Sequence, residues 1–339
     1  MAASIDPSSL ASRFAEQRIL VVGDIMLDWF IWGSVSRISP EAPVPVVEVQ
    51  RESRYPGGAA NVARNLTPFE GNVALCGLQG RDANGSLLTA TLEENAIQSD
   101  LCLILDEFPT ISKTRVVARQ QQVVRIDREK KFRLSDSQED QLIQSIAEQI
   151  DQFDGMIIED YGKGLITPRF AAKLLDLASR SDLVVTVDPN PKNPITWRGA
   201  TTIKPNRPEA FASARIEDEN RDAGVPPLED KPLLQVGEQL LKDWDCQSVL
   251  ITLGEQGMLL FSESATPFLI PAHAKEVFDV SGAGDTAIAI YTLALCAGLS
   301  MQDAVRVSNR ASSLVVAKLG TAPVERDELL HAIQQEFAS

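Results

Sequence analysis

Short, nearly unbroken apolar runs recur along the chain and alternate with stretches of helical period. The runs are RILVVG (18–23), NVALCGL (72–78), GMIIED (155–160), LVVTVD (183–188) and QSVLITLG (247–254). Continuous apolarity over so few residues is the pattern of strands covered on both faces. Helices are predicted at 58–67, 136–152, 167–180, 206–213 and 232–243. Thr167-Pro168 and Asn206-Arg207-Pro208-Glu209 each set a capping residue before an early proline. The alternation predicts an α/β fold: a mainly parallel central sheet with helices on both sides, and a helical C-terminal third, from about 283, covering one face.

Two stretches depart from this pattern. Residues 29–55 hold aromatic and alternating Val segments broken by prolines, and residues 110–127 alternate apolar with polar. Both are expected as antiparallel strands outside the main sheet, forming a small β-sheet lid over the carboxyl ends of the main strands. The acidic loop at 214–231, which contains Pro and Gly, is expected as a solvated surface excursion.

With 339 residues, 44% of them hydrophobic and 23% charged, the chain has globular composition. It exceeds the roughly 250–300 residues of a single growing core, which the lid strands account for if 1–339 is one domain. A formal charge of −15 argues against nucleic-acid binding. Four cysteines without C-x-x-C spacing indicate reduced thiols rather than a zinc site or a disulfide framework. Two histidines exclude a His-rich metal centre. The N-terminus lacks a secretory pattern. The longest uncharged apolar stretch, after Asp285, is shorter than the ~20 residues of a bilayer span. Neither membrane association nor export is expected, and the location read from this is cytoplasmic.

Asp279-Val-Ser-Gly-Ala-Gly-Asp-Thr286 opens the apolar helix. Gly282 and Gly284 let the backbone approach a ligand, and the free N–H groups of a helix start attract an anion. Asp285 beside that anion hole has two readings from spacing alone: a base that takes a proton from an attacking hydroxyl, or a helix cap. Gly57-Gly58 precedes a helix carrying Asn61, again either a hinge with a ligand-binding amide or an ordinary strand–helix turn. Neither a Walker A loop nor a G-x-G-x-x-G fingerprint occurs. Residues 113–133 carry eight Lys or Arg against two acids. Alternation places Lys113, Arg115 and Arg119 on one strand face, and Arg37 of the other lid segment could join them. This is a phosphate pocket or a solvated face.

Taken together, these segments resemble the ribokinase-like, phosphofructokinase B-type sugar kinases along nearly the whole chain. GGAANVA (57–63) and DVSGAGDT (279–286) are similar to that family's two signatures, with KPNRPE (204–209) and TLGEQG (252–257) between them in order. GDIMLD (23–28), SRISPEAPVPVVEV (36–49), PGGAANVARN (56–65), DYGKG (160–164) and KLGTAPV (318–324) resemble the bacterial D-glycero-D-manno-heptose 7-phosphate kinase branch, in its stand-alone kinase form. Arg310 and Ser312 depart from the family's small residues beside the nucleotide.

The resemblance implies a ribokinase-like three-layer sandwich that uses ATP and Mg²⁺, with K⁺ as a further ion. Asp285 would be the general base, with Gly282, Ala283 and Gly284 stabilising the transferred phosphoryl. Asp28, which ends the first strand segment, would bind the sugar together with Gly57, Gly58, Asn61, Asp160 and Lys163. Lys113, Arg115, Arg119 and Arg37 would take its phosphate. Lys204, Asn206, Thr252, Gly254, Gly257 and Asn309 would bind the nucleotide. Glu209, with Asn206, would hold Mg²⁺ through water, although N-x-x-E is also a capping box. Asp279 and Ser281 would contribute to the monovalent-cation site. The implied reaction is phosphorylation at C1 of the heptose phosphate, for lipopolysaccharide supply. Alternatives are another sugar, sugar phosphate or nucleoside acceptor, or an inactive ligand-sensing or scaffold protein. Exposed lid strands predict a homodimer.

Overall fold

A computed structural model describes residues 6–119, 121–130, 132–221, 223–263, 265–273, 280, 282–318 and 322–337. The chain starts with α1 (Pro7–Glu16), β1 (Arg18–Gly23), β2 (Ile25–Ile38), β3 (Pro45–Gly58), α2 (Ala59–Leu66), β4 (Asn72–Cys76) and β5 (Leu78–Gly80). It continues through α3 (Ala83–Glu94), β6 (Leu103–Leu105), β7 (Ser112–Ala118), β8 (Gln121–Arg128), α4 (Asp136–Ala147), β9 (Gly155–Glu159), α5 (Pro168–Arg180) and β10 (Val184–Asp188). Then come β11 (Thr202–Ile203), α6 (Arg207–Ala214), α7 (Lys231–Trp244), β12 (Ser248–Thr252), β13 (Met258–Ser262) and β14 (Phe268–Ile270). Three helices follow: α8 (Ala283–Cys296), α9 (Met301–Val315) and α10 (Arg326–Phe337).

Eight strands form the main sheet in the order β14-β13-β12-β11-β10-β9-β1-β4. Pairing is parallel from β4 through β12, and β13 pairs antiparallel with both neighbours. Its central strands are buried on both faces, as the apolar runs require: every residue of β9 and all but the first of β1 are buried. One core cluster lies under α4–α7, and a second under α1, α2, α3, α8, α9 and α10. The C-terminal helices therefore do cover one face. No described helix is long and apolar enough to cross a membrane.

The predicted helices appear with their start signals. Thr167 Oγ1 accepts from the Phe170 N–H, and Asn206 and Glu209 form a reciprocal capping box. The helix expected at 136–152 ends at Ala147 and is followed by a 3₁₀ turn, Ile150–Gln152. The pattern reading omits α1 and α3, as well as the short or late strands β5, β6, β11, β13 and β14.

A separate sheet of order β3-β2-β7-β8 occupies the two stretches expected as lid strands. Its pairing is not wholly antiparallel, because β2 and β7 run parallel. The hairpins β2–β3 and β7–β8 are each antiparallel, and joining them side by side leaves two chain directions matched. β2 also starts at Ile25, so Asp28 lies inside this second sheet rather than at the end of the first strand.

The acidic loop at 214–231 is mostly exposed, as expected, but it is also anchored at defined points. Asp230 is fully buried, and Arg207 ties it to Asp218 with contacts of 2.6–2.8 Å. Asn220 donates to Asp230, and Gln256 donates to the Val225 carbonyl. The loop is strapped to α6 on one side and to the turn after β12 on the other.

Candidate active site

Parallel strands present their carboxyl ends on one edge of the sheet, and a crevice opens there where the strand order reverses. Here that reversal lies between β1 and β9. Glu159 is the last residue of β9, Asp188 the last of β10 and Thr252 the last of β12, while Lys204 follows β11 directly. Glu159 and Asp188 are register partners, and Gly23 pairs with Glu159 on the other side. Four polar side chains thus meet on an edge that the strand pattern alone locates.

Asp285, in the first turn of α8, reaches the same place. Its Oδ2 accepts from Asn61 Nδ2 at 2.6 Å, and its Oδ1 accepts from the Tyr161 hydroxyl at 2.9 Å. Burial pushes its pKa up to about 6, against the lowering effect of those two hydrogen bonds. Gly282 caps α8 at φ 79°, a conformation that favours glycine. The Gly284 and Asp285 N–H groups have no acceptor among the described residues. The Ala283 N–H, in contrast, closes a turn onto the Val280 carbonyl at 3.3 Å and is not free for an anion.

α2 is placed by the second sheet. Gly58, the last residue of β3, caps α2 at φ 60°, and a Cβ there would strike the Asp24 carbonyl. A Cβ on Gly57 would strike the Asp28 carboxylate, so glycine there leaves room for that carboxylate. Asn65 links the helices further: it accepts from Thr286 Oγ1 and donates to the Asn61 carbonyl.

Two cavities flank Asp285 on the sheet side. One, of about 1050 Å³, is lined by Glu159, Tyr161, Asp188, Lys204, Asn206, Glu209, Thr252, Gly254, Gly284 and Asp285, among others. The other, of about 550 Å³, has largely apolar walls from Met258, Ala272, Val280, Ala283, Ala287 and Val316, with Gly257, Asn309 and Ser312 at its polar points. The two share Thr252, Gly254, Glu255, Val280 and Gly284. Asn309 Nδ2 donates to the Pro271 carbonyl and fixes that wall. Arg310 turns away, toward Gln335.

The remaining expected residues are placed as follows. Lys204 Nζ lies 2.7 Å from Asp188 Oδ2, nearly out of solvent. Both Glu209 and Asn206 serve the capping box, and burial raises the Glu209 pKa. Asp160 lines the larger cavity, and its oxygens also accept from the Gly162 N–H and from Asn193 Nδ2, so it clamps the loop as well. Lys163 is paired with Glu129 at 2.7 Å. Arg115 pairs with Asp28, and Lys113 is the register partner of Asp28.

Arg119 and Arg37 do not join that group. Arg119 follows the end of β7, exposed and at φ 57°, because the strand stops at Ala118 and the left-handed turn residue breaks the alternation. Arg37 lies opposite Val46 near the far end of β2, with Glu48 as its partner at 4.0 Å. Asp279 and Ser281 lie outside the described residues.

Glu159, Tyr161 and Asp24 are absent from the expected set. Glu159 is 1% exposed and its Oε1 has no hydrogen-bond partner among the described residues; burial first, then Asp188 and Asp285, raise its pKa. Reading β9 one residue shorter puts Glu159, not Asp160, at the strand's carboxyl end. Asp24 accepts from the Lys163 and Leu165 N–H groups and anchors the loop that carries Tyr161. No set of three or more His, Cys, Asp or Glu among the described residues is arranged to bind a metal directly.

The sequence model described as pfkB family carbohydrate kinase matches residues 16–327. The bifunctional protein HldE of Desulfatibacillum aliphaticivorans is 40% identical over 326 residues, covering 96% of this chain and 65% of the relative. HldE of Koribacter versatilis is 38% identical, covering 97% of this chain and again 65% of the relative. The chain thus spans about two thirds of the length of these curated relatives. Phosphofructokinase-2 from Escherichia coli, solved with potassium, superposes with a TM-score of 0.74 at 19% identity, covering 96% of this chain and 100% of that one. Arabidopsis thaliana ribokinase, solved with ribose and ATP, gives 0.71 at 18% identity, covering 94% and 99%. The architecture is accordingly the ribokinase-like α/β sandwich.

Proposed function

Because the chain belongs to the pfkB family of carbohydrate kinases, we propose that it transfers the terminal phosphoryl group of ATP to a sugar hydroxyl, and that the acceptor is D-glycero-D-manno-heptose 7-phosphate, phosphorylated at C1 to the 1,7-bisphosphate. The observation that carries the reading is the position of Asp285. One carboxylate, held at both oxygens, stands at a helix start beside two joined cavities, with the root of the second sheet behind it.

In this reading the apolar cavity takes the adenine, and the larger one takes the phosphates. A sugar bound near Asp28 and Asn61 presents its hydroxyl to Asp285, which accepts the proton as the oxygen attacks phosphorus. A pKa of about 6 leaves the carboxylate ionised at neutral pH and makes it a stronger base than an exposed aspartate. The Gly284 and Asp285 N–H groups and Lys204 stabilise negative charge on the transferred group. Lys113 and Arg115, next to Asp28, suit an acceptor that carries its own phosphate.

The residues present fit a hydrated Mg²⁺. Glu209 and Asp188 offer carboxylates to the larger cavity, and Glu159 Oε1, which has no partner among the described residues, is an acceptor that a bound water would satisfy. Such an ion would neutralise charge on the phosphate oxygens. The exposed strand β8, with Val124 and Ile126 open to solvent, supports pairing of two copies through the second sheet.

A coupled ADP-release assay across sugars, sugar phosphates and nucleosides tests this. Turnover should be highest with the heptose 7-phosphate. Better turnover of free sugars would remove the heptose phosphate assignment, and no ADP release with any acceptor would remove the kinase reading.

A further inference from the structure

The larger cavity has a charge problem. Six acids line it against four basic side chains, Lys192, Lys204, Arg207 and Arg221. Two of the four are already spent: Lys204 on Asp188, and Arg207 on Asp218 and Asp230. Lys192 and Arg221 have no ion pair among the described residues. A polyanion entering this cavity therefore finds uncompensated positive charge on these two side chains.

Both sit on built segments. Lys192 rides on the turn after β10, where its N–H donates to Asn190 Oδ1 and the Asn193 amide is clamped to Asp160. Arg221 follows Asn220, which is bonded to buried Asp230, and precedes Val225, whose carbonyl is held by Gln256. Anchoring on either side of Arg221 limits the ordering cost of binding.

We propose that Lys192 and Arg221 are the groups that hold the β- and γ-phosphates of the nucleotide; this rests on the kinase reading above. Guanidinium matches phosphate with paired N–H donors, and an ammonium adds a mobile point charge. The strapping of the 214–231 loop then has a purpose: Arg207 and Asp230 hold the segment that brings Arg221 to the cavity.

Isothermal titration of the full chain with ATP and with AMP, in Mg²⁺, tests the pair. Arg221→Gln and Lys192→Gln should each weaken ATP by about tenfold or more while AMP binding stays unchanged, and Arg221→Lys should recover part of the loss. The wild-type affinity for ATP should also fall more steeply with salt than that of the double variant. ATP affinity unchanged in both variants overturns the proposal. So does an equal loss for AMP, which would mean that the residues shape the pocket. Wild-type protein that does not bind ATP overturns the kinase reading itself, and this proposal with it. Both side chains are exposed, so matching thermal melts will show that the variants fold.

Discussion

Asn61 Nδ2 lies 2.6 Å from Asp285 Oδ2, joining residues 224 positions apart across the starts of two helices. The bond holds the Asp285 pKa below where burial alone would put it, and it remains near 6. As the proposed base must be ionised, kcat/KM should fall on the acid side with an apparent pKa of about 6. Asn61→Ala removes a stabilising donor, so its acid limb should move to higher pH. A pH–rate profile of both proteins checks this; an unmoved limb would show that another group titrates.

Asp285→Asn should lower turnover by about 10²–10⁴-fold while ATP affinity stays close to wild type. The amide can keep both contacts, because the Tyr161 hydroxyl can turn from donor to acceptor. Stability should change in the opposite sense from activity. The folded-state pKa is raised from 3.8 to about 6, so the folded protein binds the proton more tightly than the unfolded chain does. That stabilising contribution is complete below the lower value and is lost as pH rises through the higher one. The variant should therefore melt above wild type at neutral pH, with the gap narrowing toward pH 4. Thermal melts across that range, beside a single-turnover assay, measure both effects.

Much of this arrangement is legible in the chain because buried parallel strands leave uninterrupted apolar runs, and capped helices leave Thr-Pro and Asn-x-x-Glu. DVSGAGDT itself places Asp285 at a helix start. What the pattern hides is pairing across distance. That Asn61 bonds Asp285, that Tyr161 takes the other oxygen and that Asp28 neutralises Arg115 depend on which elements become neighbours. The Glu159/Asp160 choice turns on one residue of strand length, and the end of an apolar run does not resolve that. Arg119 fails for a related reason: even spacing puts it on the Lys113 and Arg115 face only if the strand continues, and the strand ends at Ala118 before a left-handed turn residue.

Arg115 is paired with Asp28 on the second sheet. Replacing it with Ala should raise KM for a phosphorylated acceptor by about tenfold or more, because a charge-assisted contact to phosphate is lost and Asp28 is left without its counter-ion. KM for ATP should not change, since Arg115 lines neither nucleotide-side cavity. Steady-state kinetics with each substrate varied in turn separates the two. An equal rise in both constants would mean that the substitution disturbs the sheet rather than the acceptor site.

Arg207 is a test of the strapped loop. It meets Asp218 through two nitrogens and Asp230 through one, and Asp230 is fully buried. Burial pushes the Asp230 carboxyl up, but hydrogen bonds from Asn220 and Arg207 hold it below the usual carboxylate range. Removing the guanidinium strands a buried anion, so Arg207→Ala should cost about 3–5 kcal/mol in urea denaturation at neutral pH. A depressed folded-state pKa contributes stability above 3.8 that is lost as pH falls through the folded value. The variant has already lost the Arg207 part of that contribution, so its stability should fall less on acidification, and the gap from wild type should close toward low pH. Arg207→Lys keeps the charge but not the forked geometry and should fall between the two. A cost under about 1 kcal/mol for Arg207→Ala would mean that the ion pairs behave as surface pairs and that the loop is held by other contacts.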